Sequence, residues 1–498
     1  MNAPIHRELP VGELSSVAAL EHTRATWDEK ILPQLIDYVA IPAKSPGFDP
    51  DWAKHGYLEA VVRNAASWVE AQKVEGLKLE ILRMPGRTPL LFFEVGASNG
   101  KGATPQTQPS GQTILMYGHL DKQPEFTGWR NDLGPWTPKY LDGKLYGRGA
   151  ADDGYAVYAS IAAIQALKSQ GVAHARIVGL IETCEESGSP DLLPYIDALR
   201  ARLGDVGLVI CLDSGGGNYD QLWLTTSLRG MASGVLKVQV LTEGVHSGDA
   251  SGLVPSSFRV LRHLLDRLED SASGRLLPES FHCQLPAERL AQARATAAIL
   301  GDEVYKRFPW AHYDCEGDTR FSLPTTSDPV EALIKRTWQP TLSVTGAEGF
   351  PALGDAGNVL RPYSAFRLSI RLPPMVDAAL ATERLKSLLE DNAPYQAKVT
   401  FEARGGATGW NAPTEAPWFE QTLHQASRDC FGAPCGYIGQ GGTIPLMSML
   451  SQGFPKAQMM VCGALGPKSN AHGPNEFLHV PYARKLTAAV AQVMARMP

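Results

Sequence analysis

Thr113–Asp121, TILMYGHLD, is an apolar run that ends on a histidine and an aspartate. It reads as a buried strand with His119 and Asp121 at its C-terminal end. Two later runs repeat the arrangement. Ala175–Glu186, ARIVGLIETCEE, ends at Glu185 and Glu186, and Asp205–Gly217, DVGLVICLDSGGG, carries Asp213 just before three glycines. Between the first two lies Tyr155–Gly171, YAVYASIAAIQALKSQG, a helical stretch closed by a glycine. Strands alternating with helices predict an α/β domain, a mixed sheet flanked by helices, and such sheets place their sites beyond the strand C-termini. One acid at a strand end is an ordinary start to a loop. Three such ends, together with the adjacent Asp152 and Asp153 of GRGAADDG (Gly147–Gly154), form a constellation.

The rest of the chain extends this frame on both sides. Trp27–Ala40 and the segment YLEAVVRNAASWVEAQKV have helical spacing, and LKLEILRM and PLLFFEV read as strands. ASNGKGATPQTQPSGQ is a polar Gly/Pro-rich loop. The middle of the chain changes character. MASGVLKVQVLTEG alternates like a strand with one wet face, and PSSFRVLRHLLDRLED is helical. SAFRLSIRLPP, DAALATERLKSLLEDN and AKVTFEARGG continue as strand, helix and strand, with ERLAQARATAAILGDEVYKRF as a helical extension. After ATGWNAP the α/β pattern resumes and ends on the helix PYARKLTAAVAQVMARM. The predicted layout is a catalytic domain over 1–227 and 409–498, interrupted by a smaller α+β domain over 228–408.

Bulk properties narrow the function classes. The chain has 498 residues, 44% hydrophobic and 20% charged, which suits a folded protein of two or three domains. A net charge of -6 offers no basic footprint for nucleic acid. No apolar run is long enough to cross a bilayer, and the polar N-terminus MNAPIHRELPVGELSS lacks the apolar core of a secretory signal. Seven cysteines, an odd number with no CxxC pair, fit a reduced cytoplasm. Cys184 and Cys211 lie in apolar runs and read as small core residues. Trp129 and Trp136 read as loop anchors.

His119, Asp121, Asp152, Glu185, Glu186 and Asp213, with His472 in SNAHGPNE, are the acids and histidines gathered at strand ends and turns. Mixed imidazole and carboxylate donors suit zinc, manganese or cobalt. A structural zinc site would be rich in thiolates, and this set has none. Three carboxylates and two histidines suffice for two divalent cations when one carboxylate bridges them. Two cations would also outweigh the repulsion between neighbouring acids such as Asp152 and Asp153.

In order and spacing, YGHLDKQP, GRGAADDG, ETCEESGS, CLDSGGG and SNAHGPNE resemble the motifs of the dinuclear-zinc peptidase family that holds carnosinase, bacterial dipeptidases, aminoacylases and glutamate carboxypeptidases. The resemblance spans nearly the whole chain. It implies that His119 and Asp213 bind one metal, that Glu186 and His472 bind the other, and that Asp152 bridges them. It implies a cis peptide between Asp152 and Asp153, a hydrogen bond from the second nitrogen of His119 to Asp121, and Glu185 as general base. GVHSGDASG resembles the family's lid motif, so His246 would reach the partner subunit's site in a homodimer built through the inserted domain. Asn358 would line the carbonyl pocket, Arg371 would grip a substrate carboxylate, and Gly441, Gly442 and Thr443 would form the substrate loop.

Two positions depart from the family pattern. Gly154 stands where a lysine is common, and Gln440 where a glutamate is common. Asp at 213 resembles the dipeptidases. The reading is therefore a cytoplasmic di-metal hydrolase of dipeptide-like substrates with a free carboxylate. Its rivals are an N-acyl amino acid or carbamoyl hydrolase or a carboxypeptidase, and, outside enzymes, a metal-binding scaffold.

Overall fold

In the computed structural model, residues 13–100, 111–315, 318–442 and 445–498 are described. The chain divides into two compact units. One comprises residues up to Thr225 with Ala412–Ile438 and Leu450–Pro498, and the other Thr226–Asn411 with Gly439–Met449.

The first unit is built on a six-stranded sheet. Its order is Leu77–Leu82, Leu90–Val95, Arg176–Glu182, Thr113–His119, Val206–Cys211 and Gln458–Val461. The first two pairings are antiparallel and the last three parallel. The parallel strands are apolar because both faces are covered. Every residue of Thr113–His119 and of Val206–Cys211 is buried. The Ala156–Gln170 and Val480–Ala495 helices contribute Ile161, Ile164, Leu486 and Val490 to the same core as Ile114, Ile177 and Ile210. Gly171, at φ +66, closes the Ala156–Gln170 helix. The parallel register puts His119 opposite Glu182, so these strands deliver their C-terminal residues to one edge.

The second unit is an antiparallel sheet of four strands ordered Thr341–Glu348, Tyr363–Leu372, Gly230–Gln239 and Lys398–Ala407. Helices Ser257–Leu265 and Ala378–Glu390 pack Leu261, Leu264, Ala381 and Leu385 against Leu236, Val238, Leu368 and Ile370. The α/β architecture with an inserted α+β unit is as the sequence pattern predicts. The strand Thr341–Glu348 escapes that pattern. It lies at the sheet edge and is half-exposed along its length, so no apolar alternation marks it. No helix among the described residues is long and apolar enough to cross a membrane.

Candidate metal centre

Two groups of side chains in the first unit could each hold a cation. His119, Asp152 and Asp213 form one, and Asp152, Glu186 and His472 form the other, with potential ligand atoms within 4.8 Å of one another in each group. Asp152 belongs to both and divides its oxygens between them. Oδ1 lies 3.4 Å from His119 Nε2, and Oδ2 lies 2.9 Å from His472 Nε2. Asp213 Oδ2 is 3.8 Å from His119 Nε2, and Glu186 Oε2 is 3.4 Å from His472 Nε2.

The donors fit divalent cations better than they fit one another. His119 is fully buried, yet its Nε2 has no hydrogen-bond partner. A buried nitrogen aimed at two carboxylates without a bond is a vacant ligand atom. The charges point the same way. Burial pushes the carboxyls of Glu186 and Asp213 well above the usual range, with Asp152 adding repulsion to both. Burial opposes charge on His472, but Asp152, Glu186 and Glu476 outweigh it and hold its pKa up to about 9. The two histidines hold Asp152 charged, whereas Glu186 and Asp213 shed their charge unless cations share it.

Local structure positions these groups. Gly149 has φ +82, and a Cβ there would come within 2.8 Å of the Lys122 side chain, so only glycine carries the chain into the Asp152 turn. The Asp152–Asp153 peptide is cis. Asp121 accepts the backbone N–H groups of Glu185 and Glu186 at 3.1 and 3.0 Å. It thereby fixes the turn that follows the Arg176–Glu182 strand. His119 Nδ1 lies 3.1 Å from the Asp121 carbonyl and 3.4 Å from its carboxylate, so the backbone oxygen is the closer acceptor for the ring proton. Burial, with Glu182, Asp121 and Asp152 nearby, pushes Glu185 up to about 8. Cations in the same space act in the opposite direction.

Several residues that sequence reading passed over support the centre. Gln123 donates through Nε2 to Glu186 Oε2 at 2.5 Å and so orients it. Arg148 and Glu476 form a buried ion pair at 2.5 Å. Arg148 Nη2 also donates to the carbonyls of His472 and Gly473, and its Nε to that of Pro124. Glu476 accepts the Gly149 N–H at 3.0 Å. The loop carrying His472 needs this hold, because Asn470, His472 and Asn475 all have left-handed backbone. The available signal was that GRGAADDG and SNAHGPNE each contain one unexplained opposite charge.

The remaining predicted residues lie in the second unit. His246 is exposed and pairs with Val359 across a two-residue ladder, and the Asn358 carbonyl accepts the Ser247 N–H at 2.9 Å. His246 and Asn358 are thus neighbours. Arg371 is half-buried opposite Thr341. Gly441 and Gly442 follow the short Gly436–Gln440 strand, and Thr443 lies outside the described residues. Trp129 anchors its loop through Nε1 to the Glu125 carbonyl at 2.7 Å. Cys184 and Cys211 are buried, as their apolar context predicts.

Residues 115–496 match the profile of Peptidase family M20/M25/M40, which bears out the resemblance read from the motifs. The cysteinylglycine-S-conjugate dipeptidase of Corynebacterium striatum is 28% identical over 434 residues, covering 84% of this chain and 88% of that protein. The Beta-Ala-His dipeptidase of Homo sapiens is 26% identical over 401 residues, covering 78% of this chain and 73% of that protein. Among solved structures, human carnosine dipeptidase 1 is similar with a TM-score of 0.70 at 23% identity, covering 97% of this chain and 100% of that one. The dipeptidase Dug1p of Saccharomyces cerevisiae gives 0.71 at 20% identity, covering 97% and 98%. At these identities the solved structures share the fold.

Proposed function

The chain belongs to peptidase family M20/M25/M40 and is a metallopeptidase of dipeptidase type, and we propose that it hydrolyses the amide bond of dipeptide-like substrates bearing a free carboxylate. The observation that carries this is the pair of ligand groups sharing Asp152. His119 and Asp213 would hold one divalent cation, Glu186 and His472 the second, with Asp152 between them. Zinc is the first choice and manganese or cobalt the alternatives. When bound, the cations polarise the scissile carbonyl and acidify the attacking water.

The protein's own groups carry the proton. Glu185 takes it from the attacking water and delivers it to the leaving amine. Asp121 accepts the Glu185 backbone N–H and so holds the turn that carries this residue. Arg371 would grip the substrate carboxylate, a task suited to a planar, permanently charged donor. His246 would polarise the carbonyl, acting on the partner subunit's site in a homodimer, and Asn358 would line the carbonyl pocket. Gly441, Gly442 and Thr443 would offer backbone donors to the substrate. The free thiols at Cys184, Cys211, Cys283, Cys430, Cys435 and Cys462 support a reducing, cytoplasmic setting.

The test is a panel given to the metal-reconstituted protein: free dipeptides, their N-acetyl forms and their C-terminal amides. Cleavage of free dipeptides with refusal of the amides supports the proposal. Cleavage of N-acyl forms alone replaces it with an N-acyl amino acid hydrolase and makes Gln440 the residue to explain.

A further inference from the structure

The turn that carries Asp152 rests on two side chains that the reaction does not use. The turn begins at Gly149 and ends at Gly154, whose N–H donates to the Gly149 carbonyl at 2.9 Å and closes it. The Lys122 stem lies against the first end. Its Cγ, Cδ and Cε are 2.8, 2.9 and 3.0 Å from the point where a Cβ on Gly149 would sit. The Tyr38 ring lies against the other end and fills the place that a Cβ on Gly154 would take. Position 154 therefore has no room for the lysine common there, and the ammonium packed against this turn is that of Lys122.

The two supports are tied to each other. Lys122 Nζ donates to the carbonyls of Tyr38 and Ile41 at 2.7 Å and to that of Val39 at 3.3 Å. It lies 4.0 Å from the centroid of the Tyr38 ring and 5.3 Å from that of Trp136. The Tyr38 hydroxyl donates in turn to the Leu120 carbonyl at 3.1 Å. The end of the Leu32–Val39 helix thus meets the Asp152 turn at this ammonium. Lys122 is fully buried, and among the described residues no carboxylate forms an ion pair with it. Burial pulls its pKa well below the ordinary range, with Glu476 opposing and Arg148 adding repulsion. Its three N–H groups have three carbonyls, and the carbonyl end of a helix favours a cation. An apolar side chain would fill the same space at less cost than a buried charge, so the ammonium points to a holding role. Its chain neighbours all serve the centre: Asp121 holds the Glu185 and Glu186 N–H groups, and Gln123 holds the Glu186 carboxylate.

We propose that Lys122 is a positioning residue for the metal centre: it locks the helix end to the Gly149–Gly154 turn and so sets where Asp152 stands between the two cations. This rests on the two-cation reading above. Lys122 touches neither cation nor substrate, and acts through the turn alone.

The experiment measures zinc affinity of wild type and Lys122→Met against a competing chelator, with the melting temperature of the metal-free proteins as the control for folding. Lys122→Met keeps the stem and removes the charge, and it should bind zinc about 10–100-fold more weakly. A second readout is spectroscopic. The visible absorption bands of the cobalt-loaded protein report ligand geometry, and they should shift in Lys122→Met. Where Lys122→Met does not fold, Lys122→Gln removes the charge but keeps donors for two of the carbonyls, and it should show the same loss and the same shift in smaller degree. A folded variant that binds zinc within about twofold of wild type, with unshifted cobalt bands, overturns the inference even if it melts lower, and leaves the two-cation reading standing. Wild type that binds neither zinc nor cobalt removes the two-cation reading and the inference with it.

Discussion

Replacing Arg148 with methionine tests whether the buried pair with Glu476 holds the metal centre together. The two side chains are 1% and 0% exposed. The change leaves Glu476 buried beside the Gly149 N–H and strips donors from the carbonyls of Pro124, His472 and Gly473. Removing one partner of a buried ion pair costs about 3–5 kcal/mol. At this chain size each kcal/mol moves the melting temperature by about 1 °C, so the metal-free variant should melt about 3–5 °C lower. The double change Arg148→Met with Glu476→Leu removes both charges and should recover more than half of that loss. The His472 loop also loses its clamp. Groups that orient metal ligands are worth about 10–100-fold in affinity, so binding at the Asp152, Glu186 and His472 group should weaken by that factor. Thermal unfolding and titration against a competing chelator measure the two effects. A melting temperature within about 1 °C of wild type (roughly 1 kcal/mol), with metal affinity unchanged, would refute the reasoning.

Four other outcomes follow. Glu185→Ala should lower turnover by about 10²–10⁴-fold, the worth of a positioned base, with metal content by elemental analysis unaltered; activity near wild type removes the assigned proton path. Burial pushes Glu182 up to about 7, against 4.5 when exposed, while Tyr117, Ser189 and Cys184 donate to it. Its folded form therefore binds the proton more tightly, and the stability this gives is full below 4.5 and lost as pH rises through 7. Metal-free Glu182→Gln should gain on wild type by up to about 3 kcal/mol between pH 4.5 and 8 in urea unfolding; a gap independent of pH contradicts this. Chelation should lower the melting temperature, and added zinc should restore it in step with the logarithm of its free concentration. If His246 serves the partner subunit's site, sedimentation should show a dimer, and a fully active monomer would end that assignment.

How far the sequence reaches depends on where each signal lies. The strands Thr113–His119, Arg176–Glu182 and Val206–Cys211 have apolar interiors because both faces are covered, and their polar ends stand out for the same reason. That contrast makes His119, Glu185, Glu186 and Asp213 visible along the chain. It cannot show that Asp152 splits its two oxygens between two histidines. Nor does it show partners distant in sequence. Arg148 and Glu476 are 328 residues apart, and Gln123 and Glu186 are 63 apart. Each looks like an ordinary loop residue until the fold brings it to its partner. The Thr341–Glu348 strand was hidden for the opposite reason: at an exposed edge, burial imposes no pattern.

The account's central claim is a two-cation centre bridged by Asp152, and anomalous diffraction at the zinc edge from crystals grown with zinc tests it most directly. The account predicts two anomalous peaks per chain, one among His119, Asp152 and Asp213 and one among Asp152, Glu186 and His472, with both weakened in Asp152→Ala. A single peak, or two peaks that persist unchanged without Asp152, would contradict it.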